Sequence, residues 1–322
     1  MSKVIGIDVS KATFDVAFCE NYHWFYQNQR NDKKGFKALA NHVEAGDHCI
    51  MEASGPYYLQ LAIYLHKQGI KVSVVNPLVI KRLSQMRLLR AKTDKKDAQT
   101  IAEYGITEQP KIWSISDIQI MKMQQIMSAL EGINKQKTML SNQLGAFISS
   151  GIVDREVRRS LRSLLRSLDR QLQRLELQLE EYIDNNYADT ATLLKSIPGI
   201  GKKATTMLIV MTNNFSKFSH YKELIAYVGF SPRVYQSGTS IRGKGHICKM
   251  GKSQMRKILY LCSWTAKHYN KGCSQMYERL KMAGKPERVI KIAIANKLLK
   301  QAFAIAHSGE MYNENYITKP CF

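Results

Sequence analysis

The middle of the chain, residues 116–187, contains no proline and keeps a helical spacing of apolar residues. After a break near residues 149–151, apolar side chains recur alternately four and three residues apart, which is the a/d spacing of a coiled coil. This seam consists of Leu161, Leu165, Leu168, Leu172, Leu175, Leu179 and Tyr182. We expect a helical coiled-coil dimerisation segment over residues 111–190; the alternative is one helix packed on its own domain. The segment separates an N-terminal domain, 1–110, from a C-terminal domain, 191–322.

The helix after the break is basic in its first part and acidic in its last part. Its first part holds Arg155, Arg158, Arg159, Arg162, Arg166, Arg170 and Arg174, and its last part holds Glu176, Glu180, Glu181 and Asp184. Arginines that recur every three or four residues share a helix face. This stripe is either a solvated surface or a surface that contacts phosphates.

Net charge favours a polyanionic partner. The 322 residues contain 48 Lys and Arg against 26 Asp and Glu, a formal net charge of +22. Such an excess attracts nucleic acid, and a cationic membrane-surface protein is the weaker alternative. A hydrophobic content of 44% excludes wholesale disorder, and no apolar stretch is long enough to span a membrane. Asp8 stands where a signal peptide would be apolar, and the six scattered cysteines lack a C-x-x-C pair, so we expect a reducing, cytoplasmic location.

The first hundred residues alternate between strand and helix patterns. Five strands are predicted, at residues 3–9, 14–18, 23–27, 49–51 and 71–75. Helices are predicted at 31–43 and 57–68 and then onward to 104. Three strands followed by alternating helix and strand predict a mixed α/β sheet.

Four acidic residues occupy informative places in this pattern. Asp8 lies in a strand that otherwise reads as core, Glu52 ends a second apolar strand, and Asp94 and Asp97 begin a helix three residues apart. Each has a structural explanation: Asp94 suits a helix N-cap, Asp97 suits the helix dipole, and a strand-end acid is often solvated. Taken together, the first strand, the fourth strand and the later helix can bring the four carboxylates to one sheet edge.

Converging carboxylates repel one another, so such a cluster stays partly protonated or holds divalent cations. Oxygen ligands suit Mg²⁺ or Mn²⁺, and two such ions assist phosphoryl transfer on a phosphodiester. Basic residues that could guide a nucleic-acid backbone surround the cluster: Lys81, Arg82, Arg87, Arg90, Lys92, Lys95 and Lys96. We therefore expect metal-assisted phosphoryl transfer on nucleic acid.

Two further motifs lie in the C-terminal part. Residues 197–204 (IPGIGKKA) resemble a helix-hairpin-helix, in which a glycine turn and a helix N-terminus bind phosphate; an ordinary turn between helices is the alternative. Residues 231–249 are polar, basic and rich in glycine, and place Ser237, Thr239 and Ser240 between Arg233 and Arg242. A serine there could attack a phosphodiester, and a phosphate-gripping loop without a nucleophile is the alternative.

Six blocks of the sequence, in this order and spacing, resemble the DEDD transposases of the IS110 type, which include RNA-guided insertion-sequence recombinases and Piv-type DNA invertases. The blocks are 5–11 (IGIDVSK), 51–57 (MEASGPY), 75–77 (VNP), 92–98 (KTDKKDA), 196–201 (SIPGIG) and 235–243 (YQSGTSIRG).

The resemblance implies a RuvC-like, ribonuclease H-like N-terminal domain, a coiled-coil segment and a mainly α-helical C-terminal transposase domain. It makes Asp8, Glu52, Asp94 and Asp97 the ligands of Mg²⁺ or Mn²⁺ and Ser237 the nucleophile, with Ser240 as the nearby competitor. Nucleic-acid contacts are expected from Lys202, Lys203, Arg233, Arg242, Lys244, Lys249 and Arg256.

We therefore expect a site-specific DNA recombinase that forms a covalent phosphoserine intermediate and acts as a dimer or tetramer. We expect no association with a membrane. The partners of the recombinase would be donor and target DNA and a structured guide RNA. A Piv-type invertase that reads DNA directly, a hydrolytic junction nuclease and a non-catalytic bridging protein are the alternatives.

Overall fold

The computed structural model describes residues 2–44, 46–88, 93–114, 118–233, 236–237, 241–242 and 246–315, with residues 236–237 and 241–242 described by their backbone. The chain divides into two compact units, Met1–Ile115 and Ser116–Phe322. The first unit is built on a sheet, and the second consists mostly of helices.

The sheet of the first unit has five strands in the order β3-β2-β1-β4-β5. They are β1 (Val4–Val9), β2 (Thr13–Glu20), β3 (His23–Arg30), β4 (His48–Glu52) and β5 (Lys71–Val75). The first three strands are antiparallel, whereas β1, β4 and β5 run parallel to one another. This confirms the predicted mixed α/β sheet, and the strand order is compatible with a ribonuclease H-like domain.

Helices cover both faces of this sheet. They are α1 (Lys33–Ala40), α2 (Tyr58–Lys67), α3 (Pro77–Met86) and α4 (Asp94–Glu108). Because alternate strand residues point to opposite faces, Ile5 and Ile7 enter one core with α1 and α2, while Ile50 and Ile101 pack together on the α4 side. The α4 side is therefore the face to which Gly6 and Asp8 also point.

Gly6 allows α4 to lie directly on β1. A Cβ atom at this position would stand 2.2 Å from the carbonyl oxygen of Ala98 and 2.3 Å from the nitrogen of Ala102. Both neighbours are helix backbone, which cannot move away without displacing α4. The missing side chain of Gly6 thus sets the distance between β1 and the helix that carries two of the four acids.

We expect Gly6→Ala to lower the free energy of unfolding by about 3 kcal/mol, the upper end of the overpacking range, because the clash is with backbone. Urea unfolding measures this. The matched control is Gly132→Ala in a helix of the second unit, where an added Cβ meets no atom within 4 Å. That control should gain up to about 1 kcal/mol from helix propensity. A Gly6→Ala protein as stable as the wild type would show that α4 does not pack this closely.

The segment after α4 runs along the outer edge of β5. The backbone N–H of Trp113 donates to the carbonyl oxygen of Val72 at 2.7 Å. The Ser73 hydroxyl lies 2.9 Å from the carbonyl oxygens of both Pro110 and Lys111. Residues 110–113 therefore cover an edge that would otherwise expose unpaired backbone groups.

The second unit begins with two long helices, α5 (Ile118–Ser149) and α6 (Arg155–Asn186), which match the predicted break. They pack against each other, and an ion pair at 2.5 Å joins Lys137 to Asp169. Along the leucine seam, Leu172 and Leu179 are buried, and Leu179 belongs to the core of this unit. Because the seam contacts its own chain, dimerisation through it stays a prediction.

The described part of the second unit contains six further helices: α7 (Ala188–Lys195), α8 (Lys202–Thr212), α9 (Tyr221–Val228), α10 (Ser253–Tyr269), α11 (Lys271–Met282) and α12 (Glu287–Ser308). Four short strands lie between α9 and α10: β6 (Pro232–Arg233), β7 (Gln236–Ser237), β8 (Ile241–Arg242) and β9 (His246–Ile247). In the part of the chain that is described, every helix is too short or too polar to cross a membrane.

Candidate active site

Two of the predicted acids stand side by side at one end of the sheet. Asp8 is the penultimate residue of β1, and Glu52 is the last residue of β4. The strands are parallel neighbours, and the register pair Ile7 and Met51 comes directly before the two acids. The carboxyl ends of adjacent parallel strands are a common place for functional groups.

The other two acids lie in the first turn of α4, which packs over β1 at Gly6. Thr93 is the N-cap residue, since its hydroxyl accepts a hydrogen bond from the backbone N–H of Lys96 at 3.3 Å. The alternative in which Asp94 caps the helix is therefore wrong, and the carboxylate of Asp94 is not needed for that purpose. Asp94 and Asp97 keep a favourable interaction with the helix dipole.

Electrostatics show that the four acids share one environment. Burial, followed by repulsion from Asp97, Glu52, Asp94 and Asp15 in that order, raises the pKa of Asp8 from 3.8 to about 6. A carboxyl with this pKa is still mostly ionised at neutral pH, so its repulsion with the neighbouring acids favours any cation that relieves it. The expectation that the four acids come near one another thus has electrostatic support.

Asp15 is a fifth acid that the sequence did not single out. It pairs directly with Asp8 across the β1–β2 ladder, and its Oδ2 accepts a hydrogen bond from the side-chain amide of Asn28 at 3.0 Å. Residues opposite each other in an antiparallel pair point to the same face. The hairpin turn at residues 10–12 was the available signal, because it fixes which residue of β2 faces Asp8.

The donor atoms suit a hard divalent cation, since all are carboxylate oxygens. Among the side chains that the structure describes, however, no group of three or more His, Cys, Asp and Glu is arranged to hold a metal ion. The acids are thus near enough to raise the pKa of Asp8 but do not form a finished ligand cage. Chemistry and charge fit Mg²⁺ or Mn²⁺, whereas the ligand geometry is incomplete.

The serine loop of the second unit is built from two nested antiparallel pairs. In the outer pair, β6 lies against β9, with Arg233 opposite His246. In the inner pair, β7 lies against β8, with Ser237 opposite Ile241 and Gln236 opposite Arg242. The backbone therefore presents Ser237 near the end of a narrow hairpin. Ser240 and Lys244 lie outside the described residues.

The motif at residues 197–204 forms a tight turn between α7 and α8. Gly199 has a φ of +103°, and a Cβ there would lie 2.7 Å from the Cβ of Ala266, so this position requires glycine. Gly201 is the N-cap residue of α8 and, as a glycine, makes no side-chain capping hydrogen bond. A tight glycine turn between two helices is compatible with the helix-hairpin-helix motif, and phosphate binding at this turn stays a prediction.

The lysines of that motif have intramolecular partners. Lys202 forms an ion pair with Glu180 at 2.8 Å, and Lys203 forms one with Glu176 at 3.1 Å. Both glutamates belong to α6, in the acidic part of the helix. A phosphate at this turn would compete with the two carboxylates.

The remaining predicted nucleic-acid contacts differ in their surroundings. Arg256 donates from Nη1 to the carbonyl oxygen of Val228 at 2.7 Å, which ties α10 to the end of α9. Arg233 and Lys249 are exposed at the base of the serine loop, and Arg242 is known by its backbone position in β8.

Comparison with known proteins identifies the chain. Residues 5–151 match the model of a DEDD transposase domain of the IS110 type, and residues 191–278 match the transposase family IS116/IS110/IS902. The pilin gene-inverting protein of Moraxella lacunata is 32% identical over 98% of this chain and 99% of its own length. The transposase of insertion sequence element IS1328 from Yersinia enterocolitica is 24% identical over 97% of this chain and 98% of its own length.

These matches, with the sheet and its acidic edge, define a DNA-recombining enzyme. The chain belongs to the IS110-type family of DEDD transposases.

Proposed function

We propose that this protein is a site-specific DNA recombinase that cleaves and rejoins DNA strands with Ser237 as the nucleophile and the acids around Asp8 as the ligands of a divalent metal ion. The observation that carries the proposal is the arrangement of the acids: Asp8 and Glu52 lie at the ends of adjacent parallel strands, and Asp94 and Asp97 lie in the first turn of the helix that packs on β1. The raised pKa of Asp8 supports it, because repulsion by neighbouring carboxylates contributes to that rise. Near-full-length similarity to a protein named for gene inversion and to a transposase supports the same reaction class.

Asp8, Glu52, Asp94 and Asp97 are the residues that would hold Mg²⁺ or Mn²⁺. A divalent ion bound there would neutralise negative charge that develops on the phosphodiester during transfer. The protein contributes a partly buried carboxylate whose repulsion with its neighbours favours cation binding. Asp94 and Asp97 would complete the site from α4.

Ser237 is the proposed nucleophile. Its Oγ attacks the phosphorus of the scissile phosphodiester, a new Oγ–P bond forms, and the bond from phosphorus to the leaving sugar oxygen breaks. The hydroxyl proton leaves with a base or water, and the sugar oxygen takes up a proton. Attack by a sugar hydroxyl of the second DNA site then releases the serine, so the number of phosphodiester bonds is conserved.

Two further parts of the proposal concern the fold of the first unit and the oligomeric state. A RuvC-like fold of the first unit agrees with the strand order β3-β2-β1-β4-β5. Dimers through the α5–α6 segment, paired into a tetramer, would bring together the two DNA sites that recombination joins. Exposed Ile148 and Ile152 at the end of the α5–α6 hairpin support an intermolecular contact there.

Inversion is the reaction outcome that the comparisons favour most, because two pilin gene-inverting proteins match at 32% and 31% identity over almost the whole chain. Transposition guided by a structured RNA is the second outcome, supported by the transposase relatives and the family model. In the guided case, base pairing selects the DNA, and the protein grips phosphates through its basic surfaces.

One experiment tests the reaction and the guide together. The wild-type protein is recovered from cells that carry it, one half washed with denaturant and the other under native conditions, and the attached nucleic acids are sequenced. We expect the denaturant-resistant fraction to contain DNA ending at a few recurring sites. A single structured RNA in the native fraction indicates guidance, and DNA alone indicates direct reading. Absence of any denaturant-resistant DNA would contradict the covalent mechanism.

A further inference from the structure

A tyrosine on the edge strand of the sheet faces the same side as the proposed catalytic acids. Tyr26 lies on β3 opposite Ala17, and two residues further along β3, Asn28 lies opposite Asp15. Asn28 donates a hydrogen bond to Asp15, which is itself opposite Asp8. Alternate residues of a strand share a face, so Tyr26, Asn28, Asp15 and Asp8 all lie on the α4 side of the sheet.

The separation between Tyr26 and Asp8 follows from sheet geometry. The two residues are two strands apart, which is about 10 Å, and two residues apart along the strand direction, which is about 7 Å. Tyr26 therefore lies within a few nucleotides' length of a phosphate held at Asp8.

The ring of Tyr26 is held in place although 39% of the residue is exposed. Its hydroxyl donates to Oε1 of Gln99 on α4 at 3.0 Å. The amide of Gln99 donates to Glu103 at 2.9 Å, and Glu103 forms an ion pair with Arg87. A pre-oriented aromatic ring loses little conformational entropy when a flat group stacks on it.

Positive charge lies beside this ring. The Lys95 ammonium is 6.0 Å from the centroid of the Tyr26 ring, and the Lys96 ammonium is 3.4 Å from Oε1 of Gln99. Both lysines are exposed in the first turn of α4. An aromatic face for a base with ammonium groups for the backbone is the combination that binds single-stranded nucleic acid. A protein strand added to the β3 edge would use backbone hydrogen bonds and would need neither lysine.

We propose that Tyr26, together with Lys95 and Lys96, forms a stacking subsite for an unpaired nucleobase of the DNA strand that enters the acidic site. This inference rests on the proposed function. It adds that the first unit binds one part of the substrate directly, namely an unpaired base a few nucleotides from the scissile phosphate.

The test measures binding without cleavage. All proteins carry Asp8→Asn, EDTA is present, and the probe is a single-stranded oligonucleotide with 2-aminopurine at one of several positions. We expect Tyr26→Leu to weaken binding about 5- to 100-fold and to abolish the change in 2-aminopurine fluorescence at one position. Tyr26→Phe keeps the ring and should stay within about threefold of the parent, since stacking needs only the aromatic face.

The matched control is Phe25→Leu. Phe25 is the neighbouring aromatic on the same strand, is 45% exposed and stacks on Phe18 on the opposite face. Its loss should leave oligonucleotide binding unchanged. A second measurement avoids variants altogether: an oligonucleotide with 5-iododeoxyuridine, irradiated on the Asp8→Asn protein, should crosslink to the peptide that contains Tyr26.

Equal binding by Tyr26→Leu and its parent, or crosslinks confined to other peptides, would overturn the subsite. These readouts do not depend on strand exchange. If Tyr26→Leu loses binding while the wild type forms no covalent DNA adduct, the subsite stands and the proposed reaction fails.

Discussion

Asp8→Asn is expected to abolish strand exchange and at the same time to stabilise the folded protein at neutral pH. The asparagine keeps the shape of the side chain but removes the charge at the centre of the acidic cluster. Loss of one preorganised electrostatic contact costs about 10²–10³-fold in rate, and a residue that also holds the metal should cost at least that. Recombination between two DNA sites, scored by sequencing the product junctions, measures the loss.

The gain in stability follows from the pKa of Asp8, which is raised from 3.8 to about 6 in the folded protein. The folded state binds the proton more tightly than the unfolded chain, so this stabilisation is complete below about pH 4 and is lost as pH rises through about 6. The pKa difference corresponds to about 3 kcal/mol, which solvent screening at a half-buried side chain reduces to about 1–2 kcal/mol. Asparagine avoids this cost at pH 7.5.

Urea unfolding at two pH values isolates the effect. Asp8→Asn should be more stable than the wild type by about 1–2 kcal/mol at pH 7.5 and equal to it below pH 4. Asp32→Asn is the control, because Asp32 caps α1 by accepting from the N–H groups of Lys34 and Gly35, and asparagine caps equally well. A stability difference independent of pH would mean that repulsion at Asp8 is not its cause.

Ser237→Ala is expected to remove all denaturant-resistant DNA from the recovered protein while leaving DNA binding in place. Alanine has no oxygen to form the Oγ–P bond, and it leaves unchanged the backbone groups through which β7 pairs with β8. The measurement is the denaturing recovery described above, with native DNA binding measured in parallel.

Ser240→Ala is the matched control, since it removes a second hydroxyl of the same segment. It should retain the adduct. If Ser240→Ala loses the adduct and Ser237→Ala keeps it, the nucleophile is Ser240. If both single variants keep it, the acids act with water or with another hydroxyl.

Much of the first unit was predictable because local patterns fix it. The alternation in β1 and β2 and the short apolar run of β4 located these strands, and the same patterns placed Asp8 in the first strand and Glu52 at the end of the fourth. The break between α5 and α6 was visible at residues 149–151. These features depend on neighbours in the sequence, where periodicity is informative.

The remainder depends on contacts between residues far apart in sequence. The hydrogen bond from Tyr26 to Gln99 spans 73 residues, and Lys203 meets Glu176 across 27. Neither pair leaves a periodic signal. The lysines at residues 202–203 looked free for phosphate because their partners on α6 could not be assigned from spacing. Predicting that Asp15 faces Asp8 required the register of the β1–β2 hairpin. A slip of one residue would have turned Asp15 to the other face of the sheet.

The cover over β5 has a consequence for synthesis of the chain. Residues 110–113 protect the outer edge of the sheet, yet they are made after every strand they protect. Once β5 has left the ribosome, the five strands can pair, but β5 presents a bare edge to neighbouring chains until residues 110–113 also emerge. The β5 edge is protected from edge-to-edge association only when Trp113 has left the ribosome. The segment that joins the two units therefore also completes the first one, and nascent chains that end before it are the ones at risk of aggregation.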